Sequence, residues 1–347
     1  MVFRRSSSAP VRRTDMQIHT SSILAGHVEE RGRSRAMLLS SPIARVVNID
    51  RLRILAAFGI VWFHTEGAPY RLIGYAGLPI FLLAFFSLIV RNARADDTAC
   101  FAKRRWNRLI IPWLFWSVAY GVCKSAKAIW MTDMDALRGV LSIESLIAGT
   151  HIHLWYLPYA FLLGLLIHEV NRRTSRVNDT AVVLAATATG IFLLAARPLG
   201  LFAYCISPPL PQWSFGLAAA PLGFAIGRCL LIGSHDSRRQ LLSVVTLPTL
   251  LACIILTWAG STSPAVPYGL AIGLVYLAYA WPVRGDRVAA AIAPLTFGIY
   301  LIHPLISFGL RHIVEAQQPS AIFIVLTACL SGLVTLGLMK TPLRRFV

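Results

Sequence analysis

The sequence predicts an all-α protein, a polytopic bundle of about ten transmembrane helices. Of its 347 residues, 56% are hydrophobic and 14% are charged, and the mean hydropathy is +0.64. A soluble domain carries about 25% charged residues, so a water-soluble fold of this composition would expose too much apolar surface. The apolar stretches have helix length, and a helix satisfies its own backbone polar groups in lipid.

Ten stretches have the length of a spanning helix, which is about 20 residues. They are 51–68, 73–90, 109–128, 153–169, 180–197, 213–232, 241–259, 266–283, 289–310 and 320–339. The first is the weakest, because its uninterrupted apolar run extends only from Ile54 to Phe63. Residues 1–45 are rich in Arg and Ser and have no apolar stretch. We therefore expect a disordered basic cytoplasmic tail, followed by a transmembrane domain at 46–347.

The net charge of +18 is distributed as in a membrane protein, which argues against nucleic acid as a partner. With ten spans, 27 of the 33 Lys and Arg residues fall on one side of the membrane and six on the other. Because cytoplasmic loops are enriched in Lys and Arg, both termini are predicted to face the cytoplasm. If the first stretch did not cross, the 33 Lys and Arg residues would divide 16 to 17 between the two sides of the membrane. The charge distribution therefore predicts that the short first stretch crosses.

Two ionisable residues share one face of the first stretch. Arg53 and His64 are eleven residues apart, close to three helical turns and about 16 Å along the axis. Arg53 is then near the cytoplasmic interface and His64 past the bilayer midplane, where an ionisable side chain is costly and usually functional. The alternative is a snorkelling arginine and a histidine that only hydrogen-bonds to a neighbouring helix.

Histidines of two further stretches are predicted at a similar outer depth. His153 opens the fourth stretch, and His303 lies in the outer half of the ninth. The convergence of His64, His153 and His303 is the strongest sign of a site in the residues themselves. His151 and His153 are too close in sequence to form a good metal pair on a helix, and we predict no metal site.

A basic segment precedes the third stretch at its cytoplasmic end. Its four cations are Lys103, Arg104, Arg105 and Arg108. Arg105 and Arg108 are at positions i and i+3, and guanidinium groups bind phosphate oxygens in pairs. The pattern therefore predicts a phosphate clamp, with a topology signal in contact with anionic lipid as the alternative.

These elements, in this order, resemble the motifs of acyltransferase family 3, which are ten-span membrane enzymes that O-acylate cell-surface glycans and some secondary metabolites. The resemblance covers about residues 46–340. Its four parts are Asp50, Leu52, Arg53, Ala56 and His64 for the opening motif, 101–112 for Arg-x-x-Arg-Leu…Pro, 153–157 for His-Leu-Trp-Phe-Leu, and 300–303 for Tyr-Leu-x-His. One departure is that Phe85 and Phe86 stand where the family usually has Ser-Gly.

The resemblance implies a multi-pass acyltransferase of the bacterial inner membrane. It would move an acyl group, with acetyl as the first choice, from acyl-CoA to a hydroxyl of a carbohydrate such as an exopolysaccharide or lipopolysaccharide precursor. Acyl-CoA is then a co-substrate, no cofactor is bound permanently, and the partners are the carbohydrate acceptor and the bilayer. A transporter of a glycan or acyl donor, and an inactive scaffold relative, remain open as alternatives.

The resemblance also implies a role for each candidate site residue. His64 and Arg53 would be the catalytic residues. His64 would be the general base, and Arg53, on the same helix face, would hold the CoA end or orient the helix. Arg105 and Arg108 would hold the phosphates of CoA. The acceptor side would be formed by His153, Trp155, Tyr300 and His303.

Overall fold

The structure, a computed structural model, describes residues 47–92, 97–204, 207–283, 285–314 and 321–347. Within these ranges the regular elements are helices, and no strand occurs. Residues 46–347 form one compact unit. The tail predicted at 1–45 lies outside the described residues.

Sixteen α-helices follow one another in the described part of the chain. They are α1 (Val47–His64), α2 (Arg71–Tyr75), α3 (Gly77–Arg91), α4 (Thr98–Arg105), α5 (Ile111–Trp130), α6 (Met134–Val140), α7 (Ile143–Ala148), α8 (Tyr156–Arg173), α9 (Asp179–Ala196), α10 (Leu210–Gly216), α11 (Ala219–Cys229), α12 (His235–Trp258), α13 (Thr262–Ala280), α14 (Arg287–Ile292), α15 (Thr296–Val314) and α16 (Ala321–Met339). Trp106–Ile110 is a π-helical turn, and Ile152–Trp155, Ala293–Leu295 and Pro342–Phe346 are 3₁₀ turns.

The predicted all-α transmembrane bundle is confirmed. Seven helical stretches of the described chain are long and apolar enough to cross a membrane. They correspond to the second, third, fifth, seventh, eighth, ninth and tenth predicted spans. The other three predicted spans coincide with α1, α8 and the pair α10–α11, so the total of ten stays a prediction.

The helix α1 extends from one end of the bundle to the other. At its beginning, the Asn48 amide donates to the carbonyl of Trp281 over 2.6 Å, and Arg51 bonds to Asp286 over 2.7 Å. Just beyond its other end, Glu66 bonds to Arg311 over 2.8 Å. Trp281 directly follows α13 and Asp286 directly precedes α14, whereas Arg311 lies in the last turn of α15. This path is the one expected if the short first stretch crosses.

Close helix contacts around α3 depend on two glycines. A Cβ atom at Gly77 would lie 2.4 Å from the carbonyl oxygen of Ala56 in α1, so only glycine lets these helices approach. Phe86 is fully buried, and a Cβ at Gly223 of α11 would lie 2.7 Å from the Phe86 Cβ. The Phe86 side chain, which stands where the family usually has Gly, is thus accommodated by a glycine on the facing helix.

Candidate active site

The geometry of His303 follows from the proline that comes after it. Proline has no N–H, so Pro304 leaves the carbonyl of Tyr300, four residues earlier, without its helical donor. The Nδ1 atom of His303 lies 2.8 Å from that oxygen and 3.3 Å from the carbonyl oxygen of Ile299. A carbonyl only accepts, so the neutral ring carries its proton on Nδ1 and leaves Nε2 as an acceptor. The side chain is 1% exposed.

The acceptor nitrogen of His303 faces His64, the last residue of α1. Their rings are parallel to within 1°, and His64 Nδ1 lies 3.0 Å from His303 Nε2. Since His303 Nε2 accepts, His64 Nδ1 donates, and the lone pair of His64 is therefore on its Nε2. His64 is exposed, whereas its partner is buried. The pair presents one oriented imidazole base to accessible space, with the second imidazole fixing its tautomer.

A tight turn before α8 brings His153 to the same place. Gly149 has φ of +90°, and a Cβ there would lie 2.8 Å from the Leu154 Cβ and from the Ser117 Oγ, so the turn requires glycine. The hydroxyl of Thr150 donates to the carbonyl of Ser117 in α5 over 2.5 Å. These contacts fix the loop against α5 and hold the 3₁₀ turn that carries His153.

His153 belongs to a second imidazole pair. Its Nε2 lies 3.3 Å from the carbonyl oxygen of Leu301, and its Nδ1 lies 2.7 Å from His151 Nδ1. From His64 through His303 and His153 to His151, successive ring centroids are 5.2, 5.5 and 4.7 Å apart. The three predicted histidines therefore converge, and a fourth extends the row.

Tyr300 and Trp155 occupy different positions around this row. The hydroxyl of Tyr300 donates to the backbone carbonyl of His153 and so links α15 to the 3₁₀ turn. Trp155 is 6% exposed, and its ring packs against Tyr159, with the centroids 5.4 Å apart, in the main hydrophobic core. The structure thus brings Tyr300 into the site. Trp155 instead packs into the hydrophobic core and anchors the 3₁₀ turn there.

A series of side chains leads from the basic end of the bundle to the histidines. Arg53 and Arg105 both lie close enough to the hydroxyl of Tyr156 to act on it electrostatically. The ring centroid of Tyr156 lies 5.5 Å from that of Tyr300, which lies 6.4 Å from that of His303. Arg53 also lies 3.7 Å from Asp50 on its own helix.

The two arginines of the basic segment have different surroundings. The π-helical turn begins directly after Arg105 and contains Arg108, so the regular i, i+3 spacing on one face does not apply. Arg105 is half-buried, and its guanidinium carbon lies 5.1 Å from the ring centroids of Phe85 and Phe101. Arg108 is exposed. One arginine is fixed between two aromatic rings, and the other is free to turn toward a ligand from solution.

Residues near the site to which the sequence analysis assigned no site role include Phe85, Tyr156 and Pro304. The signal for Pro304 was available, since a proline inside a helix always releases the carbonyl four residues before it. The position of Phe85 beside Arg105 depends on contact between distant segments, which no spacing rule indicates. In the described part of the chain, no group of three or more His, Cys, Asp or Glu side chains is arranged to hold a metal ion.

A family model described as an acyltransferase domain, that of acyltransferase family 3, matches residues 46–339, which is most of the chain. The chain belongs to this acyltransferase family. No curated protein and no solved structure matches the chain.

Family membership makes this chain a membrane acyltransferase, and it confirms the resemblance found in the sequence. The matched region contains both imidazole pairs, the π-helical turn and the two arginines around it. The acyltransferase therefore combines, in one bundle, an oriented imidazole pair, a row of aromatic side chains and a basic end. Acyl transfer needs a proton acceptor for the attacking group and a binding site for the acyl donor.

Proposed function

We propose that this acyltransferase moves an acyl group, with acetyl as the first choice, from acyl-CoA to a hydroxyl group of a carbohydrate. The observation that carries the proposal is the His64–His303 pair, which leaves His64 Nε2 as an oriented proton acceptor at an exposed position. A hydroxyl is a weak nucleophile until a base takes its proton, and a neutral imidazole serves at pH 7.

The reaction can be written with His64 as general base. Its Nε2 takes the proton of the acceptor hydroxyl while that oxygen attacks the thioester carbonyl. The carbon–sulfur bond then breaks, the ester remains on the acceptor, and the proton passes from His64 to the thiolate of CoA. His303, which is buried beneath His64, acts as a positioning residue by accepting the Nδ1–H bond in every step.

The donor would approach from the basic end of the bundle. Arg105 and Arg108 would bind the phosphates of acyl-CoA, because guanidinium forks fit phosphate oxygens. The acyl-bearing arm would then pass Arg53 and Tyr156 toward His64. We place the basic end in the cytoplasm of a bacterium, where acyl-CoA is made, and the acyltransferase in its inner membrane with both termini on that side.

The carbohydrate acceptor would enter at the opposite end, where His64 and the loop before α8 lie. Tyr300 and His153 shape this side by joining α15 to the 3₁₀ turn, and Trp155 holds that turn against the core. This division gives the donor and the acceptor separate entrances and a common meeting point at His64. An exopolysaccharide or lipopolysaccharide precursor fits such an outer entrance.

The experiment that tests the proposal is a transfer assay in membranes that contain the acyltransferase. Acetyl-CoA and purified surface glycan are supplied, and both free CoA thiol and ester on the glycan are measured. Equal amounts of both products, absent with His64→Ala, support the proposal. Glycan acetylation in cells that is unchanged when the gene is deleted, together with no CoA release, would overturn it.

A further inference from the structure

The imidazole pair formed by His151 and His153 has the same hydrogen-bonding pattern as the pair formed by His64 and His303. In each pair, one ring nitrogen of a buried histidine donates a hydrogen bond to a backbone carbonyl oxygen of α15. His303 uses the oxygen of Tyr300, and His153 uses the next one, that of Leu301. In each pair, the other nitrogen of the buried ring faces a more accessible histidine.

The carbonyl that accepts a hydrogen bond from His153 determines which ring nitrogens of the second pair carry protons. Leu301 supplies a carbonyl, so the neutral His153 ring carries its proton on Nε2 and leaves Nδ1 as an acceptor. His151 Nδ1, at 2.7 Å, must then donate. The lone pair of His151 is therefore on its Nε2, just as that of His64 is.

The Nε2 atom of His151 is available for a ligand. Among the described residues, no group donates a hydrogen bond to it, and it is not one of the buried nitrogen atoms that lack a partner. His151 itself is half-buried, so the atom borders accessible space. Burial, with the nearby ammonium of Lys124 as the second cause, lowers the pKa of His151 to about 4. The ring is thus a neutral acceptor at pH 7.

The position of His151 relative to His64 suggests what the ligand is. The two accessible histidines stand at the ends of one row of four rings and lie within electrostatic range of each other. Each offers an acceptor nitrogen, so the row fits a molecule with two hydroxyl donors. A simple alcohol can donate to only one of the two nitrogens, so it would lose the hydrogen bond to the other.

We infer that His151 is an acceptor-binding residue whose Nε2 accepts a hydrogen bond from a second hydroxyl group of the acceptor, and that the enzyme thereby selects polyhydroxylated acceptors. This inference rests on the proposed function for the identity of the reacting hydroxyl at His64. It assigns the second pair to substrate selection and the first to chemistry. It also gives the acceptor class a physical basis, because a sugar ring carries several hydroxyl groups at fixed positions.

Asparagine at position 151 separates this role from a structural one. The amide N–H of Asn can replace the Nδ1–H of histidine and keep the bond to His153, but Asn has nothing at the position of Nε2. The same substitution at His312, an exposed histidine of α15, is the matched control. Full-length wild type, His151→Asn and His312→Asn would be compared in lipid nanodiscs, with methyl glucoside and cyclohexanol as probes.

The first measurement is transfer from acetyl-CoA. We expect His151→Asn to raise the KM for methyl glucoside about tenfold, the worth of one good hydrogen bond, without changing the KM for acetyl-CoA or the rate with cyclohexanol. His312→Asn should match the wild type. An unchanged KM for methyl glucoside in His151→Asn, or an equal loss with both probes, would overturn the inference.

The second measurement is equilibrium binding of methyl glucoside without donor. Weaker binding by His151→Asn than by wild type supports the inference whether or not transfer occurs, and equal binding overturns it. A wild type that binds methyl glucoside through His151 but transfers no acyl group to any acceptor would overturn the proposed function alone. The two ideas can therefore fail separately.

Discussion

The rings of His64 and His303 come from helices separated by more than two hundred residues, yet they are parallel to within 1° and joined by a nitrogen–nitrogen distance of 3.0 Å. Pro304 makes this arrangement possible, because it frees the Tyr300 carbonyl that fixes the His303 tautomer. The exposed ring of the pair is left with its lone pair on Nε2, where it can accept a proton. The local sequence His-Pro thus determines the chemistry available to a residue on another helix.

The first prediction concerns the base itself. His64→Asn should keep a donor toward His303 Nε2 but lose the proton acceptor, so it should insert normally and lower acyl transfer by about 10²-fold or more, the usual contribution of a general base. His64→Ala should lose as much activity. The measurement is the initial rate of CoA release at matched membrane abundance. A nearly active His64→Asn enzyme would contradict the general-base role, because only the structural hydrogen bond would then matter.

The second prediction concerns the positioning role of His303. His303→Gln puts an amide oxygen near the position of Nε2, so it can still accept from His64 and should retain more activity than His303→Leu, which cannot. Both variants should lower kcat more than they change the KM for either substrate, since His303 is buried and orients the base. Steady-state kinetics at several concentrations of the acyl acceptor and of acetyl-CoA separates the effect on kcat from the effect on KM. An equal loss of activity in the Gln and Leu variants would show that the hydrogen bond accepted by His303 Nε2 does not contribute to catalysis.

Sequence reasoning placed the three histidines together because helix rise converts sequence position into depth. It could not assign their hydrogen-bond roles, which depend on the carbonyls that each ring meets. The carbonyl of Leu301 accepts from Tyr120 over 2.7 Å and from His153 over 3.3 Å. It therefore belongs to a contact between two helices, α5 and α15, and the 3₁₀ turn before α8. Periodicity within one helix contains no information about such a contact.

The basic segment shows the same limit in another form. The sequence prediction treated Arg105 and Arg108 as neighbours on one face of a regular α-helix. The π-helical turn at Trp106–Ile110 changes that register. Phe85, one of the two residues that depart from the family pattern, packs against the guanidinium of Arg105. The chemical type of the segment was predictable, but the position of each guanidinium was not.

The third prediction tests this difference between the two arginines. Arg105→Lys removes the planar fork from a fixed, half-buried position, whereas Arg108→Lys changes an exposed and adaptable one. We expect the KM for acetyl-CoA to rise more in Arg105→Lys than in Arg108→Lys, with insertion preserved in both. Arg138→Lys, at an exposed position on α6, is the control and should match the wild type. Unchanged KM in both variants of the basic segment would leave lipid contact as its role.

The fourth prediction concerns the ring that holds Arg105. Phe85→Leu removes one of its two aromatic contacts, which are worth about 0.5–2 kcal/mol in such settings, so the KM for acetyl-CoA should rise several-fold. Phe308→Leu is a matched control, because Phe308 forms the same kind of contact with Lys127, at 5.3 Å, at the other end of the bundle. A loss in kcat without a change in KM for acetyl-CoA would argue that Phe85 serves packing and not donor binding.

The last prediction tests the orientation and the crossing of α1 together. In a variant without its six native cysteines, Asp135→Cys introduces a thiol at a side chain that is 91% exposed on α6. Lys103→Cys introduces one at an exposed position of the basic end. If the basic end is cytoplasmic, an impermeant thiol reagent should label Asp135→Cys in intact cells and Lys103→Cys only after lysis. The reverse pattern would show that the orientation is inverted.

A third variant, Tyr70→Cys, tests whether α1 crosses. Tyr70 lies just past α1 and is 77% exposed, so Tyr70→Cys should label like Asp135→Cys. Labelling of Tyr70→Cys only after lysis would show that α1 does not cross, because the helix would then begin and end on the cytoplasmic side.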